Sequence, residues 1–198
     1  MKKSWIIIGG LVLLVIILFS SVKGTYNELV KNDEKVNESW ALVQADYQRR
    51  VDLIPNLVST VRGYAKFEQE TLIKVVEQRA SATKPTINID ATKLDANTLA
   101  QVEKTQNELS SSLSRLLVSV EKYPDLKASE QFQHLMVDLT GTENRIKDSR
   151  RRFGEAVNLY NTQLRSFPTN IMAGIFGFDK KPYFEAQAGA EQAPKVEF

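Results

Sequence analysis

The chain has 198 residues, with 26 Lys and Arg against 24 Asp and Glu, no cysteine and one histidine. Lacking cysteine, it has no disulfides, thiolate nucleophiles or thiolate metal sites, and one histidine leaves little for imidazole chemistry. Two of the basic residues, Lys2 and Lys3, precede an apolar run, so the rest of the chain carries 24 charges of each sign and lacks the cationic excess that nucleic-acid binding needs.

The apolar run extends from Ser4 to Val22 without a charge. A helix rises about 1.5 Å per residue and a bilayer's hydrocarbon core is about 30 Å thick, so the run is just long enough to span. A cleaved signal peptide fits less well, because Phe19, Ser20 and Ser21 do not make a small-residue cleavage site. A buried core helix also fits poorly, since no polar face interrupts the run and Gly9 and Gly10 would weaken a soluble helix. Sidedness rests on the flanking cations, where Lys2, Lys3 and the amino terminus stand against Lys23, Lys31 and Lys35. The tally is even; the lysine pair abutting the span favours an inside N-terminus with the body outside, and leaves the face open.

The next 176 residues suffice for one domain with a core. Apolar residues recur at steps of three and four through Val36, Trp40, Val43, Tyr47, Val51, Ile54, Val58, Val61, Ala65, Glu68, Leu72 and Val75. Only the step from Tyr47 to Val51 breaks the alternation, and only Glu68 is polar. The stripe predicts one helix, or two in line, from about Glu28 to Arg79. Pro55 interrupts it, and a proline inside a helix removes a hydrogen bond and crowds the preceding turn. Either the helix kinks there, or Asp52 caps a second helix with Pro55 in its first turn. The preserved phase of the stripe favours the kink.

The segment from Ala82 to Asp95, with Lys84-Pro85, reads as a loop. A second stripe follows at Leu99, Val102, Gln106, Leu109, Leu113, Leu116 and Val120, ending at Tyr123-Pro124-Asp125. A third runs through Phe132, Leu135, Leu139, Thr142, Ile146, Ser149, Phe153, Val157, Tyr160, Leu164 and Phe167 to Pro168. The fold class is therefore all-α: an N-terminal transmembrane helix, then an elongated antiparallel bundle of three long helices, or four if the first is broken at Pro55. The chain divides into an anchor over 1–24, a helical bundle over 25–168, and an apolar C-terminal segment with an extended tail over 169–198. Ile171 to Phe178 is apolar but too short to span. Docking on the bundle, on a second subunit or on lipid are the open alternatives for it.

Motifs for chemistry are sparse. No Glu-x-x-His pair accompanies His134, so a di-iron bundle site is ruled out, and His134 with Asp138 supplies only two ligands. The run from Glu143 to Arg152 interleaves acids with arginines and reads as a solvated, ion-paired face, with no glycine-rich phosphate loop to make it an anion site. Glu68 within an apolar seam needs a partner, and it reads as a paired group that fixes helix register.

Several segments together resemble the LemA family. They are Tyr26-Asn27-Glu28-Leu29-Val30, Trp40, Arg49-Arg50-Val51-Asp52-Leu53-Ile54-Pro55-Asn56-Leu57-Val58, Gly63-Tyr64 before Glu68, and Thr142-Glu143-Asn144-Arg145-Ile146. Tyr160-Asn161, Phe167-Pro168, Gly174-Ile175-Phe176-Gly177-Phe178 and Pro182-Tyr183-Phe184 complete the likeness. One departure is Gly154, where relatives tend to carry Asn after the aromatic residue. The resemblance implies a bacterial membrane protein with one N-terminal span and a helical body, and it brings no catalytic residues. The preferred expectation is a membrane-anchored, non-catalytic scaffold or adaptor without cofactors. It would be homo-oligomeric, contact the bilayer and possible other membrane proteins, and bind no nucleic acid. Its candidate interaction residues are Arg50, Asp52, Pro55, Asn56, Tyr64, Glu68, Phe176 and Phe178. The alternative is a small-ligand sensor or enzyme with a site near Pro55, among Arg49, Asp52, Asn56, Tyr64 and Glu68.

Overall fold

The computed structural model describes residues 2–63, 69–86, 89 and 94–185. Among them every regular element is helical: α1 (Lys2–Arg62), α2 (Gln69–Thr86), α3 (Ala96–Val120), α4 (Pro124–Ala128), α5 (Glu130–Arg165) and α6 (Thr169–Phe176). The 61 residues of α1 make one uninterrupted rod of roughly 90 Å, from the N-terminal apolar run to the far end of the body. Along the apolar run its side chains are bare: Trp5, Ile8, Leu11 to Ile17 and Phe19 are all exposed large hydrophobics.

Beyond that run, α1 packs along its length against α5, while α2 packs against both α1 and α3. The register of α1 on α5 is antiparallel, as Asn32 meets Gln163, Trp40 meets Phe153 and Arg50 meets Glu143. Helix α2 runs back down α1, with Arg79 beside Val51, and α3 rises again beside it. The body is an up-down-up-down four-helix bundle.

The apolar stripes are its seams: every member from Val36 to Val61 and from Leu99 to Val120 is buried, the polar Gln106 included, while the third stripe stays inside only to Leu164 and leaves its expected last member, Phe167, 80% exposed beyond the end of α5. The expectation of one helix, or two in line, from Glu28 to Arg79 is corrected to a helical hairpin. Helix α1 ends at Arg62, followed by Gly63, and α2 begins only at Gln69. Periodicity could not reveal the reversal, because both helices direct the same phase of the stripe into one shared cluster of Val51, Ile54, Val61, Leu72 and Val75. Of the two alternatives at Pro55, the second helix capped by Asp52 is absent, since α1 passes through the proline as continuous helix.

Local chemistry sets the other boundaries. Asp95 caps α3 by accepting from Thr98 N at 2.6 Å, and hydrogen bonding from the Thr98 side chain, then from this backbone N–H, holds its carboxyl below the usual range. Ser129 caps α5 by accepting from Phe132 N at 3.3 Å. Gly177 ends α6 in the left-handed region at φ 72°, which a residue with a Cβ rarely adopts, and Phe178 N donates to Ala173 O at 3.0 Å to close the turn.

The chain then doubles back along the bundle. Tyr160 donates its hydroxyl to Asp179 O at 3.0 Å, and Asn161 exchanges two hydrogen bonds with the Lys181 backbone. Phe184 ends against Trp40 and Phe153, with ring centroids 6.3 and 5.4 Å away. The strap from Phe178 to Phe184 thus forms part of the wall of the bundle half nearer the apolar run.

Candidate functional site

Pro55 has no N–H, so inside α1 the carbonyl of Val51, four residues earlier, loses its helical donor. Helix α2 supplies a replacement: Arg79 Nε donates to Val51 O at 3.0 Å. The defect that proline makes in one helix thereby becomes an attachment point for the next. The nearby polar residues do not gather there. Asp52 is exposed and accepts from Gln48 Nε2 at 2.6 Å, while Arg49 and Asn56 are also exposed. Tyr64 and Glu68 lie outside the described residues.

Arg50 points the other way and is 2% exposed. One terminal nitrogen donates to Ser110 Oγ at 2.8 Å and to Glu143 Oε1 at 3.0 Å; the other donates to Gln106 O at 3.3 Å and to the Gln106 side-chain carbonyl. Three helices meet on one guanidinium. The sequence marks the place, because the one step that breaks the three-four alternation runs from Tyr47 to Val51, and Arg50 lies within it. Gln106 is the matching irregularity in the second stripe. The other polar seam residues, Ser112, Thr142 and Ser149, satisfy their hydroxyls on carbonyls of their own helices, at 2.9, 2.7 and 3.2 Å. Asn32 with Gln163 and Arg150 with Glu103 join helices in pairs, whereas Arg50 gathers side chains of three helices on one buried group.

Arg50 and Gln106 divide the core in two. On one side lies the cluster from Val51 through Val61 with Leu109 to Val120; on the other lies that from Leu29 through Tyr47 with Leu99, Val102 and Phe153 to Leu164. Tyr47 borders the layer at 1% exposure, with Arg50 5.5 Å from its ring centroid. Burial raises its phenol pKa, partly offset by the cations of Arg150 and Arg50. A cavity of about 340 Å³ opens here, lined among others by Tyr47, Arg50, Gln106, Ser110, Glu143 and Arg150.

The basic run on α5 divides in the same way. Arg151 and Arg152 lie on the outer face and pair with Asp148 at 2.6 and 2.8 Å, as a solvated face should. Glu143 and Arg150 instead turn to neighbouring helices: Glu143 takes Arg50, and Arg150 pairs with Glu103 and lies 4.2 Å from the Phe184 ring centroid. Sequence reasoning assigned both to the solvated surface, because a consecutive charged run does not show which members point inward. Arg79, Ser110 and Phe184 carried no marking signal of their own. His134 is exposed, 3.7 Å from Glu130, and no group of three metal-ligating side chains is found among the described residues.

At the other end, Phe176 and Phe178 both pack on Tyr26, with ring centroids 4.9 and 5.7 Å away. This seats α6 against the first turns of α1 beyond the apolar run. The family model for LemA matches residues 39–198, which takes in the Arg50 layer, Pro55, α6 and the strap. The chain belongs to the LemA family. Among LemA-family relatives, Protein LemA of Metamycoplasma hominis is 27% identical across 76% of this chain, which spans only 64% of that relative's length. Magnetosome protein MamQ 2 of Paramagnetospirillum magneticum is 24% identical, covering 91% of this chain and 72% of its own length. Magnetosome protein MamQ of Magnetospirillum gryphiswaldense is 34% identical over 39% of this chain and 29% of itself. In this LemA-family chain the polar side chains of the Arg50 layer join helices.

Proposed function

We propose that this LemA-family protein is a single-pass membrane scaffold: its apolar N-terminal run crosses a bacterial inner membrane, and its bundle stands off as a rigid, non-catalytic stalk that presents surfaces to partners. The observation that carries this reading is the Arg50 layer. The buried charge is held by Gln106, Ser110 and Glu143 on two other helices, an arrangement that fixes register and occupies both terminal nitrogens of the guanidinium. Continuity of α1 from the apolar run to the far end supports a stiff mechanical link between membrane and body. The bundle is read as extracytoplasmic, with the Lys2 and Lys3 flank inside.

The scaffold is also read as a homo-oligomer, in which many anchors in one bilayer add their affinities. Val118 on α3 and Val137 on α5 are 70% and 71% exposed, at nearly one level in the register that Glu103 and Arg150 set, and they offer an apolar contact. Crosslinking in native membranes followed by mass spectrometry tests both parts. Self-crosslinks and recurrent partner proteins support the reading, and a strictly monomeric species that captures nothing defeats it.

A second reading, a small-ligand sensor, draws on the cavity beside Arg50, where the Tyr47 hydroxyl and Arg50 Nε are buried without a hydrogen-bond partner. Those donors suit a small acceptor such as a carboxylate. Thermal shifts with acetate, succinate and phosphate, compared between the natural protein and Tyr47→Phe, test it. A Tyr47-dependent stabilisation would favour the sensor, and its absence would leave the layer purely structural.

A further inference from the structure

We infer that α6 is a second membrane contact: a short helix that lies in the lipid headgroup region beside the exit of α1 and sets the angle at which the bundle stands. The inference rests on the reading of 4–22 as a membrane span. Given that span, the position of α6 follows from covalent geometry. Tyr26 lies four residues beyond Val22, or roughly 6 Å along a helix, and the headgroup layer on each face is about 5–8 Å thick. Phe176 and Phe178 both touch Tyr26, so α6 sits at headgroup depth.

The surface it shows there suits lipid. From Ser166 to Phe178 there is no charged residue. Phe167, Ile171 and Ile175 recur at steps of four and are 80%, 49% and 67% exposed, with Phe176 at 46%. Ala173, at 4% exposure, faces the bundle instead. The helix is therefore amphipathic in an unusual sense, with one side docked on protein and the other apolar and bare. A water-facing surface rarely gathers this much apolar area in one place, whereas an interfacial helix needs it. Exposed Lys23, Arg165 and Lys180 flank the patch and suit the phosphates of anionic lipids, and Asp179 is the one acid among them. Tyr26 and the two phenylalanines complete an aromatic cluster at the depth where such rings are enriched.

Two contacts make the foot rigid. Helices α5 and α1 both pack against α6, and the strap behind it is tied down by the hydrogen bonds of Tyr160 and Asn161. A span alone lets a body swivel; a span and a docked foot fix its tilt.

Because the chain contains no cysteine, single-cysteine variants test this directly on the full-length protein. Ile175→Cys, Leu13→Cys and Val118→Cys are each labelled with an environment-sensitive fluorophore and reconstituted into phosphatidylcholine and phosphatidylglycerol vesicles. Lipids carrying nitroxides in the headgroup or deep in the acyl chain serve as quenchers. The expected result is loss of emission at residue 175 with headgroup nitroxides, loss at residue 13 with deep nitroxides, and none at 118. If residue 13 is quenched but 175 behaves like 118, the foot is refuted while the anchor stands. An unquenched residue 13 removes the anchor, and the foot with it. A blue-shifted but unquenched label at 175 means that protein, such as a second copy, covers α6, and this too overturns the proposal.

Discussion

Among the described residues, the half of the bundle beyond the Arg50 layer is cored by aliphatic side chains, with Phe132 its one buried aromatic beside Val51, Ile54, Leu57, Val61, Leu109, Leu113 and Leu116. The half nearer the apolar run buries Trp40, Tyr47, Phe153 and Tyr160, with Phe178 and Phe184 packed against them. The difference follows what each half must hold. The far half is closed by α2, a helix whose backbone groups are already paired internally. The near half is closed by non-helical chain, Ile89 and the strap from Phe178 to Phe184, whose backbone groups need outside partners. Side chains that are both bulky and polar-tipped supply them: Trp40 Nε1 donates to Ile89 O at 3.3 Å, and Tyr160 donates to Asp179 O. Aliphatic residues fill volume, whereas these aromatics also fasten loops.

The largest expected effect breaks that fastening. Trp40→Ala removes a fully buried side chain together with the Ile89 bond and one side of the Phe184 pocket, and should cost about 3–5 kcal/mol in chemical denaturation. Hydrogen exchange should also speed selectively in residues 178–184. In the aliphatic half, Ile54→Val should cost only about 0.5–1.5 kcal/mol and leave the strap protected. Equal costs, or a protected strap in Trp40→Ala, would show that the two halves do not differ in kind.

Next comes the boundary. Arg50→Ala takes the guanidinium donor from the Gln106 side-chain carbonyl and opens space in the layer, and is expected to cost about 2–4 kcal/mol. Glu143→Gln should cost far less, because that side chain is 42% exposed and water can replace its partner. Joint replacement, Arg50→Met with Gln106→Leu, should recover part of the loss, since it leaves no buried group unpaired. Stability below the Arg50→Ala level in the joint variant would contradict a register role.

The polar tips also predict a pH dependence confined to the aromatic half. Burial pushes the Tyr160 phenol up to about 12, with the nearby negative charges of Asp33 and Asp179 adding to the shift. The folded state thus holds this proton more tightly than the unfolded chain, whose phenol titrates near 10. Its contribution is complete below about pH 10 and declines as pH rises toward 12. Denaturation midpoints should fall through that window in the natural protein and less steeply in Tyr160→Phe, with the phenolate absorbance of residue 160 appearing late. Identical slopes would remove Tyr160 as the cause.

The seams were legible in the sequence because burial of a helix face imposes the three-four period directly; Val36, Trp40, Val43, Leu99, Val102 and Leu109 all lie inside as the pattern requires. The reversal after Arg62 was not, because a turn that preserves phase leaves no trace in periodicity. The Arg50 layer was half-legible. The step from Tyr47 to Val51 and the polar Gln106 each flag an irregular seam position, but their meeting depends on how α3 lies against α1, which local pattern does not encode. Arg79 was invisible for a related reason: its partner is a backbone carbonyl, and only the loss of an N–H at Pro55 makes that carbonyl available.

That last pairing makes the smallest but most specific prediction about the aliphatic half, where a fastening of the aromatic kind occurs only because proline created the need. Arg79→Met keeps the side-chain stem and deletes the donor, so Val51 O loses its partner, at a cost of about 1 kcal/mol. In a Pro55→Ala background the residue at 55 regains an N–H, and Val51 O can accept the ordinary helical bond. Arg79→Met should then cost almost nothing, giving a coupling of about 1 kcal/mol between two residues whose side chains need not touch. Denaturation of the four members of this cycle measures it. A cost for Arg79→Met that is the same in both backgrounds would mean that Arg79 merely packs on α1. A cost that vanishes with the proline would mean that α2 is held to α1 by the carbonyl the proline left free.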